Sequence, residues 1–335
     1  MKLSVSQKTV LQFLLANLDR PQKVLVVGDV GLDRYTVGSV DRISPEAPVP
    51  IVRVESEFLK LGLAANVADN LRALGSEPWL VGVVGDDRVA QDFRRVLKAE
   101  RIGDGHLVVD AKRRTVLKER IVSERQQLLR VDYEDAGSIS DAASRRLVAK
   151  LDRLVARADI LILEDYCKGM LQPATVRHLF ALARRHRKLV LVDPNAQSPA
   201  ALYEGAGLLT PNTKEAEALA GMRITDEDSL ARAGVAILKK TKAPRLIITR
   251  GRDGMAIFEK GRRGFQSIPT YAREVYDVSG AGDTVISVLA LALGAGAAID
   301  DAARLANLAA AIEVGKRGTA TVSLAEIREA LASWA

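Results

Sequence analysis

Lys23-Val-Leu-Val-Val-Gly28 is a continuous apolar run that ends in glycine. A run without polar alternation suits a strand covered on both faces, and such strands belong to parallel sheets. Similar runs recur at 78–84, 160–163, 189–192, 207–209 and 246–249. Helical patterns lie between several of them, at 64–74, 89–99, 173–187 and 213–220. Strands alternating with helices predict an α/β fold, a mostly parallel sheet with helices on both faces.

Two stretches depart from this rhythm. Residues 49–55 and 115–133 tend to alternate apolar and polar side chains, the pattern of antiparallel strands with one wet face. They predict a small sheet projecting from the main body as a lid or a dimer contact; the alternative is an extension of the main sheet's edge. After Ala281 the chain turns Ala-rich and helical, over 284–293, 302–314 and 324–333, with Ser323 as N-cap of the last helix. Residues 10–18 read as an amphipathic helix leading into the first strand rather than an export signal. No internal repeat or long linker interrupts the 335 residues, so one domain, 1–335, with lid strands at about 46–56 and 113–134, is the simplest organisation.

Composition narrows the function classes. Hydrophobic residues make up 48% and charged residues 27%, a globular mix, and no apolar run approaches the roughly 20 residues of a membrane span. The single cysteine, Cys167, excludes an intrachain disulfide and fits a cytoplasmic location; it reads as a packed small residue rather than a nucleophile. Three scattered histidines lack zinc-cluster spacing. The net charge of +7 points to a solvated basic surface or an anionic small molecule. Nucleic acid is disfavoured, because aromatics are only 4% and no basic stripe is interleaved with them.

The most informative segment is Asp277-Val-Ser-Gly-Ala-Gly-Asp-Thr284, followed at once by an apolar helix. Gly280, Ala281 and Gly282 permit a tight turn whose bared N–H groups face outward from a helix N-terminus, an anion site. A carboxylate there, Asp283, is placed to take a proton from a hydroxyl attacking a bound phosphoryl group. The competing role is a helix cap. No Gly-x-x-x-x-Gly-Lys-Ser/Thr loop, dinucleotide fingerprint or protein-kinase catalytic loop is present.

With its surroundings, this segment resembles the C-terminal signature of the ribokinase-like (PfkB) carbohydrate kinases. Other family landmarks follow in order over nearly the whole chain: Gly28-Asp29-Val-Gly-Leu-Asp33, Gly62-Leu63-Ala64-Ala65-Asn66, Asp193-Pro194-Asn195, Asn212-Thr-Lys-Glu215 and Thr249-Arg-Gly-Arg-Asp-Gly254. Arg42-Ile-Ser-Pro-Glu-Ala-Pro-Val-Pro50, Asp165-Tyr-Cys-Lys-Gly169, Glu274-Val-Tyr-Asp277 and Val314-Gly-Lys-Arg-Gly-Thr319 narrow the likeness to heptose-7-phosphate kinases of lipopolysaccharide-core synthesis.

The resemblance implies a three-layer ribokinase-like sandwich and ATP-dependent phosphorylation of an anomeric hydroxyl. Asp283 would be the base, with the backbone of Gly280–Gly282 as the anion hole. Asn212 and Glu215 would organise Mg²⁺, Glu215 through water; their simpler role is to cap a helix. Thr249, Gly251, Gly254 and Asn307 would line the nucleotide site, with Asn307 and Lys316 flanking late segments that close over adenine. The loop of Val278 and Ser279 binds a monovalent cation in some members. Asp29, Asp33, Asn66, Asp165 and Asp193 would face the sugar. Lys118, Arg120, Arg130 and Lys168, helped by Gln127, would hold the distal phosphate. A homodimer through the lid is implied, which would also cover strand edges.

Three positions depart from the pattern. Leu63 stands where the family places a second glycine, Asn195 where heptose kinases place lysine, and Ser279 where threonine is usual. No His-x-Gly-His motif occurs, which fits the single-function kinase. The rival readings are a kinase of another sugar, such as ribose or fructose, and a non-catalytic relative.

Overall fold

The computed structural model describes residues 5–18, 20–123, 126–135, 137–272, 275–316 and 320–333. Glu274 and residues 317–319 of the sequence motifs, and 124–125 of the lid segment, lie outside the described residues. The strands are β1 Lys23–Gly28, β2 Val30–Ile43, β3 Pro50–Leu63, β4 Glu77–Val81, β5 Val83–Val84, β6 Val108–Val109, β7 Val116–Ser123, β8 Gln126–Tyr133, β9 Ile160–Glu164, β10 Val190–Asp193, β11 Leu208–Leu209, β12 Arg245–Thr249, β13 Met255–Glu259 and β14 Gln266–Ile268. The α-helices are α1 Val5–Asn17, α2 Ala64–Ala73, α3 Arg88–Ala99, α4 Asp141–Leu154, α5 Pro173–Arg185, α6 Thr213–Ala220, α7 Glu227–Thr241, α8 Ala281–Gly294, α9 Ile299–Glu313 and α10 Leu324–Ser333.

Eight strands form the main sheet in the order β14-β13-β12-β11-β10-β9-β1-β4. Pairing is parallel from β4 through β12 and antiparallel at β13 and β14. The parallel strands are buried on both faces, as their unbroken apolar sequences require: every residue of Ile160–Glu164 is buried. Two apolar clusters result. One contains Val24, Val26 and Ile162 with α1, α2, α8 and α9; the other contains Leu25, Val27 and Leu161 with α4, α5 and α7. The ribokinase-like α/β expectation holds.

The period-two segments form a separate sheet, ordered β3-β2-β7-β8, rather than an extension of the main one. It is larger than the sequence suggests. Val30–Ile43 is a full strand, and Pro50–Leu63 runs eight residues beyond Glu55. The inner ends of β2 and β3 are buried against the main body, so they lose the alternation by which the outer part is recognised. The 10–18 pattern is helical, and Leu11, Leu14, Leu15 and Leu18 are buried.

Parallel strands present their C-terminal ends on one edge, where open α/β sheets bind ligands. Here β1 ends at Gly28, β9 at Glu164 and β10 at Asp193, in mutual register. A side chain at position 28 would place its Cβ 2.4 Å from the Glu164 carbonyl, so only glycine lets these strand ends close.

Candidate active site

Asp283 sits in the first turn of α8 and is 9% exposed. Asn66, in the first turn of α2, donates its Nδ2 amide to Asp283 Oδ2 at 2.5 Å. Tyr166, just past β9, donates its hydroxyl to Oδ1 at 3.1 Å. Thr284 donates to Asn70 at 2.8 Å and so ties α8 to α2 behind the carboxylate. Burial pushes the Asp283 carboxyl up to about 6; the Asn66 and Tyr166 hydrogen bonds oppose this, and Asp33 adds to it. A carboxylate poised near neutrality is suited to general-base work. Asp283 does not cap α8. The N-cap is Gly280, at φ +98°, with no side chain capping the first turn. The Ala281 N–H turns back to the Val278 carbonyl at 3.4 Å, and the N–H groups of Gly282 and Asp283 at the next two positions are left to an anion.

The ends of β9 and β10 add two acids. Glu164, Asp193 and Asp283 each place a carboxylate oxygen within 4.8 Å of the others. Glu164 is fully buried, and neither of its oxygens has a hydrogen-bond partner. Burial, reinforced by the neighbouring acids, holds the carboxyls of Glu164 and Asp193 well above the usual carboxylate range. A Cβ on Gly282 would stand 3.9 Å from Asp193 Oδ2, so Asp193 reaches beneath the anion turn.

The lid supplies the opposite wall. Residues in register across neighbouring strands share a face. Asp33 lies opposite Lys60 and Lys118, Tyr35 opposite Arg120, and Arg120 opposite Arg130. One face of the lid therefore carries Lys60, Lys118, Arg120 and Arg130. Arg120 pairs with Asp33 at 2.5 Å and lies over the Tyr35 ring at 5.4 Å. Burial lowers the Lys118 pKa, and the charge of nearby Lys168 lowers it further. Lys168 in turn pairs with Glu134 at 2.7 Å.

Asp29 and Asp165 chiefly shape the loop that carries Tyr166 and Lys168. Asp29 accepts the backbone N–H groups of Lys168 at 3.0 Å and Met170 at 3.2 Å. Asp165 accepts from the Cys167 N–H and from the Ser198 and Tyr203 hydroxyls. Cys167 is exposed at φ +56°, not packed as its size suggested; the tight turn points its side chain outward. Arg130 is drawn to Asp132 at 2.9 Å, and Gln127 is exposed near the outer end of β8, so neither is gathered around Asp283.

Asn212 and Glu215 form a reciprocal capping box at the start of α6, with contacts of 3.1 and 2.8 Å, and the Glu215 carboxylate acts on Asp193 and Glu164. Burial still pushes the Glu215 carboxyl up. Thr249 ends β12 and bridges to Asn212, and Gly251 and Gly254 flank the following turn. Asn307 is buried and donates to the Pro269 carbonyl at 2.8 Å. Lys316 bonds the Thr321 carbonyl and pairs with Glu326.

Sequence reasoning missed Glu164, Tyr166 and Lys60. Glu164 looked like the end of an apolar strand. Its signal was the placement of an acid where a buried strand meets the ligand-binding edge. Lys60 was legible only through its register with Asp33.

A buried carboxylate below an uncapped helix turn, facing a cationic lid, fits a phosphotransferase that acts on a sugar hydroxyl. A family model described as pfkB family carbohydrate kinase matches residues 22–326, and the chain belongs to that family. Among curated relatives, the bifunctional protein HldE of Geobacter sulfurreducens is 45% identical over 303 residues, covering 90% of this chain and 61% of that protein. HldE of Pseudomonas aeruginosa strain LESB58 is 46% identical over 308 residues, covering 92% and 63%. The chain thus spans about three-fifths of the length of these relatives. Among solved structures, Escherichia coli phosphofructokinase-2 in complex with potassium superposes with a TM-score of 0.79 at 18% identity, covering 94% of this chain and 99% of that one. Arabidopsis thaliana ribokinase complexed with ribose and ATP gives 0.73 at 18%, covering 93% and 99%. These two likenesses concern the fold alone.

Proposed function

We propose that the chain transfers the γ-phosphoryl group of ATP to the anomeric hydroxyl of D-glycero-D-manno-heptose 7-phosphate, giving the 1,7-bisphosphate. The observation that carries this reading is Asp283, buried at the open N-terminus of α8 and held by Asn66 and Tyr166 below the cationic face of the lid. The heptose motifs of the sequence and the kinship with HldE support the choice of sugar.

ATP with Mg²⁺ supplies the phosphoryl group and neutralises part of its charge. Asp283 accepts the proton of the attacking hydroxyl. The N–H groups of the Gly280–Gly282 turn face the charge that develops on the phosphoryl oxygens. Asp33, Asn66 and Asp193 border the sugar, and Asp29 and Asp165 position the loop beside it. Lys118, Lys168 and Arg120 hold the distal phosphate, with Arg130 and Gln127 farther out. Asn212 and Glu215 fit an outer, water-mediated role toward Mg²⁺, because the capping box already engages them. Thr249, Gly251, Gly254 and Asn307 flank the nucleotide, beside the exposed Val275, Tyr276 and Val278. A monovalent cation would lie under the loop of Val278 and Ser279.

The lid also supports a homodimer. Seven of the eleven exposed large hydrophobic residues among the described residues lie on it or on its hairpin: Val40, Ile43, Val49, Val54, Phe58, Leu129 and Tyr133. Among the described residues no helix is long and apolar enough to cross a membrane; a cytoplasmic site of action fits the need for ATP.

A second reading, a kinase of another sugar, draws on Asn195. Its amide turns to the Asp165 carbonyl and supplies no cation to a substrate phosphate. ADP release with Mg²⁺, compared across the heptose phosphate, ribose, fructose and fructose 6-phosphate, separates the two. Strong preference for the heptose phosphate is expected. Preference for a free sugar would discard heptose and keep Asp283.

A further inference from the structure

Glu134, just past β8 at the base of the lid, stands among the cations given to the distal phosphate, where a carboxylate is out of place. Its Oε1 accepts the Lys168 ammonium at 2.7 Å. Its Oε2 is buried and has no hydrogen-bond partner among the described residues. Lys118 approaches from β7, in register with Asp33 of β2 and Asp132 of β8, and its ammonium feels the charges of both Lys168 and Glu134. Among the described residues Lys118 makes neither an ion pair nor a side-chain hydrogen bond. A lone acceptor thus lies beside a lone cation, and the two do not close on each other. The carboxylate repels the phosphate that both lysines attract, and its unpaired oxygen is costly to bury. A ligand that carries a hydroxyl beside its phosphate would offset both.

We propose that Glu134 is a specificity-determining residue: its Oε2 accepts a hydrogen bond from the hydroxyl on the carbon next to the phosphate ester, while Lys118 and Lys168 hold the phosphate. The role rests on the heptose phosphate reading and deepens it. An ionised carboxylate can only accept, so the ligand atom it meets must carry a proton. In D-glycero-D-manno-heptose 7-phosphate that atom is the C6 hydroxyl, outside the ring. The L-glycero epimer turns the same hydroxyl to the other side, and a 6-deoxy analogue lacks it. In a ring-closed hexose 6-phosphate the corresponding oxygen belongs to the ring and has no proton to donate. The phosphate is common to all of these, so Lys118 and Lys168 cannot tell them apart, whereas Glu134 can. A site built around a substrate hydroxyl rejects an analogue without it far more strongly than an apolar pocket rejects a small change of size.

The test measures kcat/KM of wild type, Glu134→Met and Glu134→Gln on the two heptose 7-phosphate epimers and on the 6-deoxy analogue, with inorganic phosphate as a competitor. Wild type is expected to favour the D-glycero epimer over the other two by about tenfold or more, the range of a hydrogen bond to a charged group. Glu134→Met keeps the side chain's length and removes the acceptor. It should bring the three substrates within about threefold of one another, chiefly by loss on the D-glycero epimer. Glu134→Gln keeps a neutral acceptor, and its preference should fall between those of wild type and Glu134→Met. Inorganic phosphate should compete at least as well in Glu134→Met as in wild type, because Lys168 is released. A preference that survives in Glu134→Met overturns the role. So does a loss shared equally by the three substrates and by inorganic phosphate, which would leave Glu134 as a holder of Lys168 alone. Should Glu134→Met fold poorly, an unchanged preference in Glu134→Gln overturns the role. Turnover of the heptose phosphates without preference in wild type removes Glu134 and keeps the heptose reading; turnover on none of them removes that reading and this role with it.

Discussion

Asn66 donates its side-chain amide to Asp283 Oδ2 at 2.5 Å and so joins the first turn of α2 to the first turn of α8. The bond favours the ionised carboxylate, whereas burial drives the same group up to about 6. The base works only when ionised, so kcat/KM should rise with pH through about 6 and then level off. Asn66→Ala removes an opposing influence and should move that acid limb to higher pH. Tyr166→Phe should move it the same way. Full pH–rate profiles of the three proteins check this; a limb that stays in place in both variants would detach these residues from the base.

Asp283→Asn keeps size and shape but cannot take a proton. Turnover should fall about 10²–10⁴-fold, the range of a lost general base, while ATP binding and melting temperature stay close to wild type. Single-turnover assays with calorimetric ATP titration separate these effects. Near-normal turnover would remove Asp283 as the base.

Lys168 pairs with Glu134 beside half-buried Lys118. Charge-assisted bonds contribute about 1.5–3 kcal/mol. Lys168→Ala should therefore raise KM for a sugar phosphate about 10–100-fold and leave KM for ATP within a few fold. Equal loss for both substrates would place Lys168 outside the sugar-phosphate pocket.

Leu63 carries φ +58° and ψ −140° at the N-cap of α2, a conformation that suits glycine, and it is 7% exposed. The strained backbone costs about 1–3 kcal/mol, and the buried side chain returns about 1.5–3 kcal/mol. The two nearly cancel, so Leu63→Gly should leave the melting temperature within a few degrees of wild type. Leu63→Ala loses the packing and keeps the strain, and it should be the less stable variant. That order reverses the one usual for alanine and glycine. Thermal unfolding of both variants decides it.

Glu313, at the end of α9, is fully buried, and burial pushes its carboxyl up to about 8. Its folded value lies above its unfolded one, so between about 4.5 and 8 the native state binds more protons than the unfolded state. Its stabilising contribution is complete below about 4.5 and is lost as pH rises through 8. Glu313→Gln should flatten the decline in stability across that window. Denaturant unfolding at pH 5, 6.5 and 8.5 provides the check; identical slopes in the two proteins would count against it.

Much of this molecule could be read without coordinates. Runs such as Lys23–Gly28 implied buried parallel strands, because an unbroken apolar sequence is stable only between two covering layers. Asp277-Val-Ser-Gly-Ala-Gly-Asp283 marked the anion turn and its acid because both features are local in the chain. The cationic residues of the lid were also legible as candidates. What local sequence could not express was pairing between distant segments. The inner ends of β2 and β3, Val30–Asp33 and Leu61–Leu63, escaped notice because burial on both sides erased their alternation. Arg130 and Asp132, two residues apart on β8, pair with each other, a contact that local pattern did not mark.

By itself the sequence determined the layers, the glycine turn before α8, the acid that follows it and the cationic character of the lid, because these follow from short-range pattern and composition. Only the tertiary structure decided that Asn66 and Tyr166 hold the Asp283 carboxylate, that Lys60 shares a face with Asp33, and that Glu164 and Asp193 end side by side near it. Those relations depend on strand register and helix docking between residues up to 217 positions apart, which no local pattern encodes.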